Sequence, residues 1–264
     1  MTVRPAMLGV LLAFACRSPS GLSAVAQAHA GERQAAADGG PDAPGSIAVV
    51  ELFTSEGCSS CPPADALLTE LGGDAPSVYA LAFHVDYWDS LGWADPFASP
   101  AWTARQRLYA ASFGTSDLYT PEMIVGGTES FTGSDRKRAS AAIARTLASA
   151  PAVGVTVRAR AASLQDVEVD VEAPGTPLDA RLQIALVQGY AVVDVRAGEN
   201  GGHTLRHTHV VRAWETAQGP RATVTFPIPA GMPRAQAEIV ALVQRDAGSG
   251  AGMPFLGAGR TPLP

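Results

Sequence analysis

Hydrophobic positions follow one rhythm up to about residue 150 and another beyond it. Ile47 to Phe53 is a short β-prone run, and Thr54 to Ser60 is turn-like. Pro62 to Leu71 sets Leu67, Leu68 and Leu71 on one helical face before Gly72-Gly73 stops it. Val78 to Val85 is nearly continuously apolar, as expected of a strand covered on both faces in a parallel sheet. Ser99-Pro100 then opens a helix that continues through Ser112. Glu122 to Val125 and Glu129 to Phe131 flank Gly126-Gly127 as a hairpin, and a last helix over Asp135 to Ser149, capped by Ser134, ends at Pro151.

From Ala152 the pattern alternates. Val153, Val155 and Val157, then Val167, Val169 and Val171, interleave with small or polar residues. Further β-prone runs occur at 181–188, 208–214, 222–226 and 235–243. Six or seven strands at this spacing indicate a sandwich or barrel. The expected architecture is therefore an α/β domain over 46–150 followed by an all-β, sandwich-like domain over 151–264.

The first 30 residues have a different character. Arg4 precedes an apolar run from Ala6 to Cys16, and small-residue sites follow at Ala24-Val25-Ala26 and Ala28-His29-Ala30, the layout of a secretory signal peptide. The run is shorter than the roughly 18–20 residues that span a bilayer, so an exported, periplasmic or secreted product without a membrane helix is expected. Lipid attachment through Cys16 is the competing reading, although the Leu usual three positions upstream is missing. Residues 31–45, rich in Ala, Gly, Asp and Pro, read as a flexible lead-in. Removing the signal takes away Arg4 and Arg17, so the net charge goes from -6 to -8. An acidic chain whose one basic run is Arg136-Lys137-Arg138 argues against a nucleic-acid partner.

Export also leaves two cysteines, Cys58 and Cys61. A disulfide between residues three apart restrains little of the unfolded chain, so stapling is a weak reason for the pair. Cys-x-x-Cys spacing instead lets one sulfur resolve a mixed disulfide formed by the other. At a strand-to-helix junction Cys58 is the expected nucleophile and the more exposed of the two, with Cys61 as the resolving thiol. Ser59 and Ser60 are placed to hydrogen-bond the sulfur, Glu56 opposes a thiolate, and Pro62-Pro63 is expected to delay the helix start.

Residues 86–98 form an insertion rich in Trp, Asp and Gly. Together with His84 it reads either as a cleft wall, with Tyr87 and Trp88 touching substrate, or as loop caps and packing. His203, His207 and His209 raise a metal reading, but about 140 residues separate the Cys pair from the His pair, far beyond a zinc-finger spacing. No resident metal or cofactor is expected. A copper carrier using the Cys pair with His84 or His207 is the alternative, and a non-enzymatic binding protein with a permanent disulfide is a third class.

The stretch Glu51-Leu52-Phe53-Thr54-Ser55-Glu56-Gly57-Cys58-Ser59-Ser60-Cys61-Pro62-Pro63-Ala64-Asp65 resembles the signature of an exported bacterial family, domain of unknown function 1223, in the thioredoxin-like superfamily. His84 to Asp89, Thr120-Pro121, Gly198 to Gly202 and His209-Val210-Val211-Arg212 extend the resemblance over most of 47–260. It implies a thioredoxin-like fold in which Pro121 is a cis-proline facing the cysteines and Thr120 offers backbone groups to an extended substrate. It also implies thiol–disulfide exchange with protein or small-molecule partners. Ordinary thioredoxins keep a buried acid six positions before the first cysteine. Here that position is Leu52, and Glu51 lies on the opposite strand face, able to reach Cys61 only through a bulge.

Overall fold

All seven residues of β1 (Ala48–Thr54) and all seven of β2 (Val78–His84) are buried, as a strand covered on both sides demands. The two run parallel in unbroken register, joined by α1 (Pro62–Gly73). After α2 (Pro100–Ser112), β3 (Glu122–Val125) pairs antiparallel with β1 on its other side, β4 (Glu129–Thr132) extends the sheet, and α3 (Arg136–Leu147) closes this half. The computed structural model describes residues 45–73, 75–248 and 251–264. The expected signal peptide over 1–30, the lipid site at Cys16 and all but the last residue of the lead-in lie outside them.

Alternation along the strands divides the core. Ala48, Val50 and Leu52 of β1, with Ala80 and Ala82 of β2, pack against Leu67 and Leu68 of α1 and Ala139, Ala142 and Ile143 of α3. Val49, Phe53, Leu81 and Phe83 point to the other face and meet Trp102 and Tyr109 of α2. Ser99 accepts the Ala101 amide at 3.2 Å, so α2 starts where its Ser-Pro signal placed it. For α3 the cap is Asp135, whose carboxylate accepts the Arg138 amide at 3.0 Å, and not the expected Ser134.

The second half contributes β5 (Thr156–Ala161), β6 (Asp166–Glu172), β7 (Ala180–Asp194), β8 (Thr204–Gln218), β9 (Arg221–Pro227), β10 (Ala237–Arg245) and β11 (Phe255–Pro262). Four of these strands do not form a body of their own. β8 pairs parallel with β2 at Ala82 and Val210, giving one eight-stranded sheet in the order β11-β10-β7-β8-β2-β1-β3-β4. The expected boundary near residue 150 thus falls between two elements, but the sheet runs across it. β5, β6 and β9 make a second, three-stranded sheet. Val167, Val169 and Val171 of that sheet share a core with Leu182, Ile184 and Leu186 of β7 and Ile239, Ala241 and Val243 of β10. The alternate residues Ala185, Val187, Val240 and Leu242 belong to the α2 core. The protein is a mixed α/β fold in which one large sheet serves both halves.

Two features escaped the periodicity. β7 and β8 are 15 residues each, well beyond their apolar runs, because their outer ends form a projecting hairpin. β11 was not expected, since Gly257 and Gly259 interrupt any β-prone pattern. Close packing explains them: a Cβ at Gly257 would lie 2.2 Å from the Val153 carbonyl oxygen, and one at Gly259 2.6 Å from that of Val155. Gly257→Ala is expected to destabilise the protein by about 1–3 kcal/mol. Gly154→Ala, with no atom within 4 Å of the new methyl, should stay within about 0.5 kcal/mol of wild type. Urea unfolding of the two variants checks this, and equal midpoints would contradict the packing argument.

Candidate functional site

At the end of β1 the chain turns through Ser55–Ser60 into α1. The Cys58 amide donates to the Ser55 carbonyl at 3.2 Å, and the Cys61 amide to the Cys58 carbonyl at 3.2 Å. Cys61 then accepts the amides of Ala64 (2.8 Å) and Asp65 (3.1 Å), so the helix is engaged from Cys61. Pro62-Pro63 does not delay the start as expected. Proline lacks only an N–H that the first turn leaves unused. Cys58 and Cys61 form a disulfide with Cα atoms 5.5 Å apart, and the Ser60 hydroxyl lies 3.3 Å from the Cys58 sulfur.

Both cysteines are fully buried, whereas Ser59 and Ser60 are exposed. The expectation of an exposed Cys58 is corrected, and its cover comes from far along the chain. The tip of the β7–β8 hairpin folds over the Cys loop: the Asn200 side-chain amide donates to the carbonyls of Glu56 (2.8 Å) and Cys58 (2.9 Å), and Glu199 accepts the Ser59 amide at 2.9 Å. That hydrogen bond holds the Glu199 carboxyl below its usual range. Gly198, at φ 73°, lets the tip approach Trp93, whose Cβ would be 3.1 Å from a methyl there.

The Thr120-Pro121 bond is cis. Pro121 is buried against Gly133, where Ala64 of α1 also closes in. Trp88 bridges the two expected site elements. Its indole N–H donates to the Thr120 hydroxyl at 2.9 Å, and its Cβ sits 2.9 Å from where a methyl on Gly57 would be. Tyr87 leans on Trp88 with ring centres 6.5 Å apart and directs its hydroxyl to Gln106 at 3.4 Å; burial pushes its pKa up to about 12. Trp88 therefore lies beside the Cys loop and Thr120, while the polar end of Tyr87 turns toward α2.

A second feature is a buried cluster of ionisable side chains behind the loop. Thr54, Asp65 and His84 share the α1 face by strand and helix parity, and His207 enters from β8. His84 Nδ1 is 2.7 Å from Asp95 Oδ2, which also accepts the Glu56 amide at 2.8 Å. His207 Nε2 is 3.0 Å from Glu56 Oε1, and Trp93 donates to Glu56 Oε2 at 2.7 Å. Burial pulls the His84 pKa down, but Asp95 outweighs it and the net shift is upward. Burial likewise raises Asp95, and the charge and hydrogen bond of His84 reverse this to a net lowering. Asp65, 4.0 Å from His207 Nδ1, is raised by burial that the two imidazoles only partly offset. Sequence reasoning had left His84 open between site and packing and had given Asp65 no role. The signal it lacked is the contact of β8 with α1 across some 140 residues.

Glu51 takes no part. β1 has no bulge, so its carboxylate stays on the α2 face, where Arg105 Nε donates to it at 2.7 Å and the Tyr109 hydroxyl also reaches it. Arg105 in turn donates to Gln244 of β10 at 3.0 Å and lies 4.3 Å from the centre of the Trp214 ring. The three C-terminal histidines diverge. His207 joins the cluster, His203 sits 3.2 Å from the Asn200 carbonyl, and His209, at φ 55°, crowds Gly72. Among the described residues no group of three or more His, Cys, Asp or Glu is arranged to hold a metal ion.

Fold and site together define a mixed α/β protein with a Cys-x-x-Cys disulfide at a strand-to-helix junction, roofed by a β-hairpin. The chain belongs to the family described as protein of unknown function DUF1223, matched over residues 49–244. It is similar to the crystal structure of protein AGR_C_4864 from Agrobacterium tumefaciens, at 29% identity and TM-score 0.63, covering 83% of this chain and 95% of that one. HBP35 of Porphyromonas gingivalis shares the fold at 16% identity and TM-score 0.54, over 83% of this chain and 76% of that one. No curated protein matches. Among the described residues no helix is long and apolar enough to cross a membrane.

Two outcomes follow for the roof and the cluster. Asn200→Ala leaves the buried Glu56 carbonyl without its donor and the Cys58 carbonyl with the Cys61 amide alone, and is expected to cost about 1–3 kcal/mol. It should also speed reduction of the Cys58–Cys61 bond by a small thiol, whereas Glu199→Gln, at an exposed position, should change stability far less. Timed alkylation during dithiothreitol treatment reads this; equal rates in wild type and N200A would remove the tip as the cover. For Asp65 the folded pKa lies above the unfolded one, so the folded state holds the extra proton. Stability from this group is present at low pH and falls as pH rises from about 3.8 through the folded value. Asp65→Asn removes that fall, so its stability relative to wild type should rise between pH 4 and 6 in urea unfolding, and a constant difference would contradict the burial of an ionising carboxyl.

Proposed function

We propose that this protein is an exported thioredoxin-like thiol–disulfide oxidoreductase, periplasmic or secreted, that acts on protein or small-molecule disulfides through Cys58 and Cys61. The observation that carries the reading is the Cys58–Cys61 disulfide at the start of α1, with the cis Thr120-Pro121 bond packed beside the same helix. The β1-α1-β2-α2-β3-β4-α3 order, with β1 between parallel β2 and antiparallel β3, supports a thioredoxin-like half. In the reduced form, which a dithiol partner generates by opening the Cys58–Cys61 bond, the Cys58 thiolate attacks one sulfur of a client disulfide. A mixed disulfide forms and one client thiolate leaves. Cys61, as thiolate, attacks the Cys58 sulfur, restores the Cys58–Cys61 bond and releases the second client thiolate, so two electrons pass to the client. Burial of both cysteines assigns this chemistry to a state in which the Glu199-Asn200 tip has swung off Cys58. Trp88 and Thr120 then offer the flanking surface for the client chain.

The same burial favours one second reading, a non-enzymatic binding protein whose disulfide never opens. Cys61→Ser separates the two. An oxidoreductase is expected to accumulate Cys58-linked partners from the exported compartment, absent from the Cys58→Ser, Cys61→Ser double variant, and wild type should reduce insulin with a thiol donor. If neither C61S nor C61S combined with N200A captures a partner, and C58S alters only stability, the enzyme reading fails and the binding reading stands.

A further inference from the structure

Opposite β7 the strand β8 carries one residue too many. Leu186 pairs with Ala213 and Val187 with Val211, leaving Arg212 between them without a partner residue. A β-bulge of this kind re-aims the side chain of the extra residue. The Arg212 guanidinium donates through Nη1 to the side-chain oxygen of Gln188 and lies 5.0 Å from the centre of the Phe97 ring. It is half-buried, burial depresses its pKa, and no carboxylate counters that depression. A desolvated cation is ordinarily matched by an anion, and here none of the described residues supplies one.

The guanidinium borders an open cleft of about 460 Å³. Phe97, Tyr190 and Val192 line it too, and Tyr190 and Val192 remain 41% and 48% exposed, large apolar surfaces on the outer end of β7. Phe97 also stands edge-on to His84 and His207, with ring centres 5.3 and 5.8 Å away. It thus forms a wall between the cleft and the buried cluster. A cation at one side and an apolar, aromatic wall at the other match a ligand with both characters better than a bare inorganic anion.

We propose that the Arg212 cleft binds a carboxylate carried on a small aromatic or apolar body, seated with its charge on the guanidinium and its body against Tyr190 and Val192. This site is separate from the disulfide and holds whether or not Cys58 exchanges. A free carboxylic acid and the C-terminus of a peptide share this chemistry, so calorimetric titration of the full chain uses phenylacetate and the dipeptide Gly-Phe. Phenethyl alcohol and Gly-Phe amide are the neutral counterparts.

At least one acid should bind, and its neutral counterpart should bind at least about tenfold more weakly. Binding by phenylacetate alone assigns a free acid, and binding by Gly-Phe alone assigns a chain end. Arg212→Gln is expected to lose about tenfold or more in affinity. Val192→Asp, a change at an exposed position that keeps Arg212 and replaces part of the apolar wall with a negative charge, should weaken binding similarly; unchanged thermal unfolding confirms that fold is retained. The proposal is overturned if neither acid binds wild type, if acids and neutral counterparts bind alike, or if V192D binds the acid as wild type does.

Discussion

One side-chain amide ties the molecule together at its chemical centre. Asn200 holds the carbonyls of Glu56 and Cys58, residues 144 and 142 positions earlier in the chain. Buried carbonyls need donors, and within the turn the Cys58 carbonyl has the Cys61 amide while the Glu56 carbonyl has none. The hairpin tip supplies what the local chain lacks, and in doing so it becomes the roof over the disulfide. The shared sheet makes this possible. Because β8 joins β2, the hairpin it forms with β7 leaves the sheet beside the Cys loop, and a free-standing second domain would have no fixed reach to that point.

The two buried charge systems follow from strand parity. β1 sends Glu51 to the α2 face and Thr54 to the α1 face, with no bulge to mix them. On the α2 face the Glu51 carboxylate meets the Arg105 guanidinium, and the aromatic rings of Phe83, Tyr109 and Trp214 lie around Arg105. Such a pair fixes α2 against β1 and β10, and it is matched in charge. On the α1 face two imidazoles face three carboxyl groups, and among them the Asp65 pKa is raised on balance, by burial. The ionisable groups behind the Cys loop come from the loop itself, α1, β2, the insertion and β8.

How much of this the sequence revealed depends on the range of the interaction concerned. β1, α1, β2, α2, β3 and β4 were legible because the hydrophobic period and the Ser99-Pro100 and Gly72-Gly73 signals are local. The resemblance marked Cys58, Cys61 and Pro121, and the cis bond is present. Parity set Glu51 on the face away from the cysteines unless a bulge intervened, and β1 has none. What stayed hidden was set by contacts between distant segments. The burial of Cys58 depends on Asn200, and the extent of β7 and β8 depends on a hairpin that is paired but only partly covered. β11 is a strand because its glycines fit under the Val153 and Val155 carbonyls, so the feature that makes it pack erases its pattern.

The insertion over 86–98 caps and packs at the Cys loop. Asp95 caps the Glu56 amide and holds His84, Trp93 holds the Glu56 carboxylate, and Trp88 spans Gly57 and Thr120. Each residue is engaged in packing or capping, and each does so at the Cys loop. A wall built from such contacts is rigid, since moving it would strip Glu56 of an amide acceptor and an indole donor at once. The roof joins one exposed contact to two buried ones. Glu199 contributes a single hydrogen bond from an exposed position, where water replaces it at little cost. Uncovering Cys58 at the hairpin tip would therefore cost little at Glu199 and much more at Asn200, whose two buried hydrogen bonds would also have to break.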